Sequence, residues 1–271
     1  MTRATADELQ AYLDFAHRLA DISGEAVLPH FRKPIAVRNK AGPTGFDPVT
    51  VADRAAERAI RKAIAGQYPE HGIVGEEFAA VAGAGRFNWV IDPIDGTRAF
   101  ITGMPLWGTL IGPIEAGAPM LGLMNQPYTG ERFWGAGGTA HSRTRDGTVQ
   151  RLETRACAGL ADAVLTTTHP DLFAMPAELA AFLQLKAAAR MTRYGGDCYA
   201  YCMLAAGFVA AQPGSWRGSG GVMIDLMVPT ALAGRPGRRG ADLGVHGTNT
   251  ARQAKGLEAA LVDFEIRTVA S

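Results

Sequence analysis

Cysteine is scarce in this sequence: three among 271 residues, at positions 157, 198 and 202. An odd, sparse set argues against a disulfide scaffold and for a reducing, cytoplasmic setting. Cys198 and Cys202 lie four apart on one predicted helix face, but a zinc pair needs two further ligands, and no His or Cys stands nearby in the chain. They read as small buried apolar groups. No apolar run reaches about 18 residues, so no transmembrane helix is expected. An excess of one charge is missing too: 27 Lys and Arg stand against 26 Asp and Glu, a net charge of +1. Such a chain is no electrostatic magnet for nucleic acid or an anionic membrane. The opening MTRATADELQAY lacks the apolar stretch and cleavage site of a secretory signal.

What is present is an ordinary enzyme-like composition, 47% hydrophobic and 20% charged. A chain of this length buries a large core as one domain or two intimate ones. Apolar spacing predicts a helix over 6–28, stopped by Pro29. Residues 36–50, with Gly42, Pro43, Gly45 and Pro48, read as a loop or irregular hairpin. Thr50 reads as the N-cap of a second helix, with Asp53 in a capping-box place, and that helix ends near Gly66.

From residue 72 the texture turns to strands: 72–75, 88–92, 107–113, 119–124 and 132–136. With no long helices between them they predict an antiparallel sheet. A polar cluster over 140–160 reads as a junction between an N-terminal α+β unit (1–150) and a C-terminal α/β unit (151–271). The second unit carries a strand at 163–167, a helix near 176–188, a strand at 191–194 and a helix over 197–210 that opens at Gly196-Asp197. The fold class is layered α+β. Segment 212–240, rich in Gly, Pro and Arg, is assigned no structure beyond a candidate strand at 222–228.

The most informative stretch is Asp92-Pro93-Ile94-Asp95-Gly96-Thr97. An apolar strand delivers Asp92, Pro93 removes a ladder donor, and Gly96-Thr97 opens a short helix whose free amides welcome an anion. Two carboxylates at about 4 Å repel by roughly 4 kcal/mol at an effective dielectric near 20. A divalent cation offsets that cost, and all-oxygen ligation selects Mg²⁺ or a similar hard ion. Glu76, just after its own strand, can add a third carboxylate. Alone, Asp92 and Asp95 also read as a cap and a turn residue, and Glu76 as surface charge. Glu77 and the Asp47/Asp53 segment shift the balance towards a site.

At these residues the chain resembles the inositol monophosphatase family of Mg²⁺-dependent phosphatases, which share a fold with fructose-1,6-bisphosphatase. The matching features are Asp47-Pro-Val-Thr50 with Asp53, Gly75-Glu76-Glu77, and Asp92-Pro-Ile-Asp95-Gly-Thr97, over roughly residues 5–210. The resemblance implies an αβαβα sandwich, two or three Mg²⁺ ions, a phosphate-ester substrate and a homodimer. It implies that Glu76, Asp92, Asp95 and the Ile94 carbonyl hold metal. Asp53 and Thr97 would orient the attacking water, with Glu76 part of the same catalytic group. The Gly96 and Thr97 amides would bind phosphate, and Lys40 would be the loop lysine near the site or an ordinary solvated one.

The segment Arg193-Tyr-Gly-Gly196-Asp197-Cys-Tyr-Ala-Tyr201 looks closest to the histidinol-phosphate phosphatases of this family, which act in histidine biosynthesis. An acidic Asp197 beside Gly196 at a helix start suits a cationic substrate better than a neutral cyclitol, although it also reads as an N-cap. Tyr199, Tyr201, Trp107 and Trp134 read as packing residues, and His169 as an exposed or helix-edge residue. Inositol 1-phosphate or another sugar phosphate is the alternative substrate. An impaired, non-enzymatic binding paralogue is the alternative class. The pattern breaks after about residue 210, where the family's acidic strand and aromatic-Asp pair are missing. Asp225 is the nearest candidate for the further metal-binding Asp. A change of reading frame near residue 210 or a divergent tail would each account for the break.

Overall fold

The computed structural model describes residues 4–40, 48–115, 118–173 and 175–210. Helix α1 (Ala6–Val27) opens on a capping box between Thr5 and Glu8 and buries a stripe including Tyr12, Phe15, Leu19 and Ser23. A 3-10 turn, Leu28–His30, closes it at Pro29. Strands β1 (Val37–Asn39) and β2 (Pro48–Thr50) form an antiparallel pair, the irregular hairpin expected. Helix α2 (Val51–Gln67) starts on the Thr50–Asp53 capping box.

The main sheet comprises β3 (Gly72–Gly75), β4 (Phe87–Asp95), β5 (Gly108–Glu115), β6 (Ala118–Pro119), β7 (Leu121–Gln126), β8 (Glu131–Ala136), β9 (Thr139–Arg143) and β10 (Val149–Arg151). Its order is β10-β9-β8-β7-β5-β4-β3, with β6 alongside β5. The sheet is antiparallel except for the parallel pair β3 and β4. Helix α3 (Thr97–Ile101) follows β4. A smaller parallel pair, β11 (Val164–Thr167) and β12 (Met191–Tyr194), is joined by α4 (Pro176–Ala188). Helix α5 (Asp197–Ala205) follows.

Alternation along the strands sorts the core into layers. Trp89, Ile91, Ile111, Leu121 and Leu123 pack against α1 and α2. Val90, Leu110, Met124 and Phe133 pack on the opposite face against Cys198 and Cys202 of α5. A third cluster, with Val27, Phe31, Ala52, Ile94, Phe100 and Trp107, closes the end of the sheet where β4 meets α3. Among the described residues no helix is long and apolar enough to cross a membrane.

Besides the parallel pair β3 and β4, where an antiparallel sheet was expected, three details differ from the sequence reading. Strand β4 does not stop at Asp92 but runs through Pro93 to Asp95. Its register with β5 shifts between those aspartates: Asp92 faces Leu110 and Asp95 faces Gly108. One extra residue in β4 makes a bulge, a place where a missing proline N–H is tolerated. The polar stretch from residue 140 continues the sheet as β9, whose buried face carries only Ala140 and Ser142, and as the exposed edge strand β10, which needs no apolar alternation. Helix α5 ends at Ala205 rather than continuing to 210. Gly207, at φ +79°, takes the left-handed position and donates to the Leu204 carbonyl.

Candidate active site

Two neighbouring strand ends carry the candidate carboxylates. In the parallel pair Gly75 lies opposite Ile91, so Glu76 and Asp92 are the next residues on adjacent chains about 4.8 Å apart. The bulge then puts Asp92 and Asp95 on one side of the sheet, since their partners Leu110 and Gly108 are two residues apart on β5. In an unbroken strand, residues three apart would face opposite ways. The bulge is held by a buried hydroxyl relay. Thr109 Oγ1 donates to the Pro93 carbonyl at 2.9 Å, and Ser23 Oγ lies 2.7 Å from Thr109 Oγ1.

Each candidate residue has a definite place. Asp53, in the first turn of α2, accepts from the Thr50 amide at 2.8 Å and the Thr50 hydroxyl at 2.5 Å, both on Oδ2. Its Oδ1 is buried with no partner among the described residues. Burial, only partly offset by the Thr50 hydrogen bonds and reinforced by the charge of Glu76, pushes its carboxyl up to about 6. Asp92 Oδ1 accepts from the Ile94 amide at 3.0 Å, and the Ile94 carbonyl accepts from the Thr97 hydroxyl at 3.1 Å. Asp95 Oδ2 accepts from the Cys198 amide at 2.7 Å. Burial and the facing Asp197 carboxylate push Asp95 up to about 7, with Glu76 adding to the rise.

Lys40 joins this group. Its ammonium lies 2.8 Å from Glu76 Oε1 and 2.9 Å from Glu77 Oε1. Burial works against the charge, yet the two hydrogen bonds outweigh it and hold the lysine above its ordinary pKa. Gly96, at φ +87°, caps α3, and a Cβ there would stand 3.1 Å from Asp197 Oδ2. Gly196 caps α5, and a Cβ there would meet that of Ala200 at 2.5 Å. Asp197 is the first helical residue of α5 rather than its cap, at φ +40°. Burial raises its pKa against a Thr168 hydrogen bond and the nearby Arg98 charge. Asp225 and Asp47 lie outside the described residues.

The packing readings hold for Trp107, Trp134 and Tyr199. Trp107 is fully buried and Trp134 packs on the core with its ring 4.9 Å from His17. Tyr199 donates to the Glu131 carboxylate. His169 is exposed and caps a 3-10 turn. Residues missed in the sequence include Glu57 and Arg61, which hold the backbone around Glu76 from beneath. The signal was available: Glu57 falls within the buried stripe Asp53, Ala56, Glu57, Ile60 and Ile64 of α2.

The donor set is of the right kind for a hard divalent cation: carboxylates that raise one another's pKa, and a buried Asp53 Oδ1 without a partner among the described residues. Among the described residues, no three His, Cys, Asp or Glu side chains are grouped as a ready-made cage. Protein donors engage them instead: Lys40 for Glu76, the Ile94 amide for Asp92 and the Cys198 amide for Asp95.

Residues 8–219 match the inositol monophosphatase family. The chain belongs to that family. Inositol monophosphatase family members are metal-dependent phosphatases, and solved relatives share this layered fold. An inositol monophosphatase from Zymomonas mobilis superimposes with a TM-score of 0.69 at 31% identity, covering 94% of this chain and 100% of that one. Among family sequences, the chloroplastic bifunctional phosphatase IMPL2 of Arabidopsis thaliana is 40% identical over 204 residues, 74% of this chain but only 57% of the plant protein. The histidinol-phosphatase of Streptomyces coelicolor is 35% identical over 242 residues, 83% of this chain and 90% of that protein.

Proposed function

We propose that this phosphatase is Mg²⁺-dependent and hydrolyses L-histidinol phosphate to L-histidinol and phosphate, a step of histidine biosynthesis. The observation that carries the substrate choice is the position of Asp197. Its carboxylate stands against Gly96 and Asp95 at the start of α5. A phosphate ester bound at Gly96 and Thr97 would then present its far end to an acidic wall, which suits an ammonium and an imidazole better than cyclitol hydroxyls. Histidinol-phosphatases from three bacteria at 35–36% identity support the same choice.

Glu76, Asp92, Asp95 and the Ile94 carbonyl would hold Mg²⁺, which supplies Lewis-acid charge to the phosphoryl oxygens and makes water more acidic. Lys40 would have to release Glu76 for that. Asp53 and Thr97 would orient the attacking water. With its pKa near 6 and one buried oxygen that has no partner among the described residues, Asp53 is suited to take a proton close to neutral pH. The amides of Gly96 and Thr97 would hold phosphate oxygens in place. Phosphoryl transfer asks the protein mainly for positioning and charge neutralisation.

A phosphate-release assay over histidinol phosphate, inositol 1-phosphate and a neutral sugar phosphate, with and without Mg²⁺, tests the reading. Preferred turnover of histidinol phosphate, dependent on Mg²⁺, is the expected result. Faster turnover of inositol 1-phosphate would reverse the substrate assignment.

A further inference from the structure

We infer that Glu57 is a positioning residue for Glu76, acting through the backbone that flanks it. Glu57 is fully buried on α2, one helical turn after Asp53. Its Oε2 accepts from the Glu77 amide at 2.7 Å, and its Oε1 accepts from Arg61 Nε, also at 2.7 Å. The carboxylate presses against Gly75 so closely that a Cβ there would lie 2.0 Å from Oε1. Arg61 carries the grip one residue further, donating from Nη2 to the Phe78 carbonyl at 2.9 Å. The guanidinium groups of Arg54, Arg58 and Arg61 all lie within 5.8 Å of the Phe78 ring centre. The contacts therefore fall on Gly75, Glu77 and Phe78, the residues on either side of Glu76.

The chemistry asks for a carboxylate at this place. Two donors, one backbone amide and one guanidinium N–H, converge on two different oxygens. Glutamine can offer an acceptor to only one of them and must turn its own NH₂ towards the other. Because α2 also carries Asp53 in its first turn, the same rigid helix spaces Asp53 from the turn bearing Glu76. Groups that fix a metal ligand's orientation typically change metal affinity by about 10–100-fold when replaced. The inference rests on the reading of Glu76 as a metal ligand.

Calorimetric titration of Mg²⁺ into the full chain, comparing wild type, Glu76→Gln and Glu57→Gln, separates the possibilities. The expected result is saturable binding by wild type, loss in Glu76→Gln, and a Kd raised about tenfold or more in Glu57→Gln. An unchanged Kd in Glu57→Gln, with Glu76→Gln still deficient, overturns the positioning role while leaving the metal reading intact. A wild-type chain that binds no Mg²⁺ overturns the metal reading and the inference together. Should Glu57→Gln fail to fold, amide hydrogen exchange on the metal-free wild type decides. The Glu77 amide is expected to be strongly protected, and exchange at the rate of an open loop contradicts the grip.

Discussion

The backbone amide of Cys198 donates to Oδ2 of Asp95 at 2.7 Å across 103 residues of chain. That bond fastens the first turn of α5 to the end of β4, and it brings the Asp197 carboxylate up to Asp95 and Gly96. Substrate-selecting and metal-binding candidates are thus parts of one contact rather than two separate regions.

Asp197→Asn keeps the shape of the side chain and its capacity to bond Thr168 but removes the charge. A charged hydrogen bond contributes about 1.5–3 kcal/mol. The expected outcome is therefore a fall of roughly 10–100-fold in kcat/KM for histidinol phosphate. Turnover of a neutral sugar phosphate should fall much less. Phosphate release on the two substrates measures the split.

Gly96 has room for no side chain. Its φ of +87° is a left-handed conformation, and a Cβ would meet both Asp197 Oδ2 and the Leu106 carbonyl at 3.1 Å. Gly96→Ala is expected to lower stability by about 1–2 kcal/mol from the backbone conformation alone. Displacement of Asp197 should add a loss of activity, and urea unfolding beside the phosphatase assay reads both effects.

Thr109 holds the bulge that turns Asp92 and Asp95 to one side. Thr109→Val keeps the shape but leaves the Pro93 carbonyl without its hydroxyl donor. The expected destabilisation is about 1–3 kcal/mol, that of an unsatisfied buried acceptor. Weaker Mg²⁺ binding should accompany it, and unfolding and calorimetry on the same sample test the pair of effects.

This bulge also marks the limit of what the sequence could tell. The Thr50–Asp53 capping box, α4 over 176–188 and β3 over 72–75 were legible because each is written in local pattern. The convergence of Asp92 and Asp95 was expected from a strand-to-helix turn. It arises instead from a count against β5, which no local pattern contains. Strand β10 is hard to see because an exposed edge strand need not alternate, and β9 because its buried face carries only Ala140 and Ser142. Glu57 stands in the sequence as one charge among several on α2, although it falls in the register of the buried stripe. The link from Asp95 to Cys198 is a tertiary contact, and only the resemblance of the Gly196-Asp197 segment hinted at it.

His17 gives a pH prediction away from the site. Burial, with Arg132 and Arg143 nearby, lowers its pKa from 6.5 to about 4, against the opposing charges of Asp21 and Asp14. The folded chain therefore favours neutral His17, while the unfolded chain takes up a proton below 6.5. This contribution to stability is fully present above pH 6.5 and is lost as pH falls towards 4. Thermal unfolding from pH 7 to pH 4 should show a steeper loss for wild type than for His17→Gln. Parallel slopes would contradict the shift.

On the proposed reading, Glu76, Asp92 and Asp95 would exchange their protein donors for a divalent cation. Titrating Mg²⁺ into wild type and Asp92→Asn, followed by calorimetry, tests it most directly. Saturable binding in wild type and at least a tenfold weaker response in Asp92→Asn are expected, a typical consequence of disturbing a metal site. No binding by wild type at millimolar Mg²⁺, with Lys40 still paired to Glu76, would contradict it and favour a non-catalytic binding role.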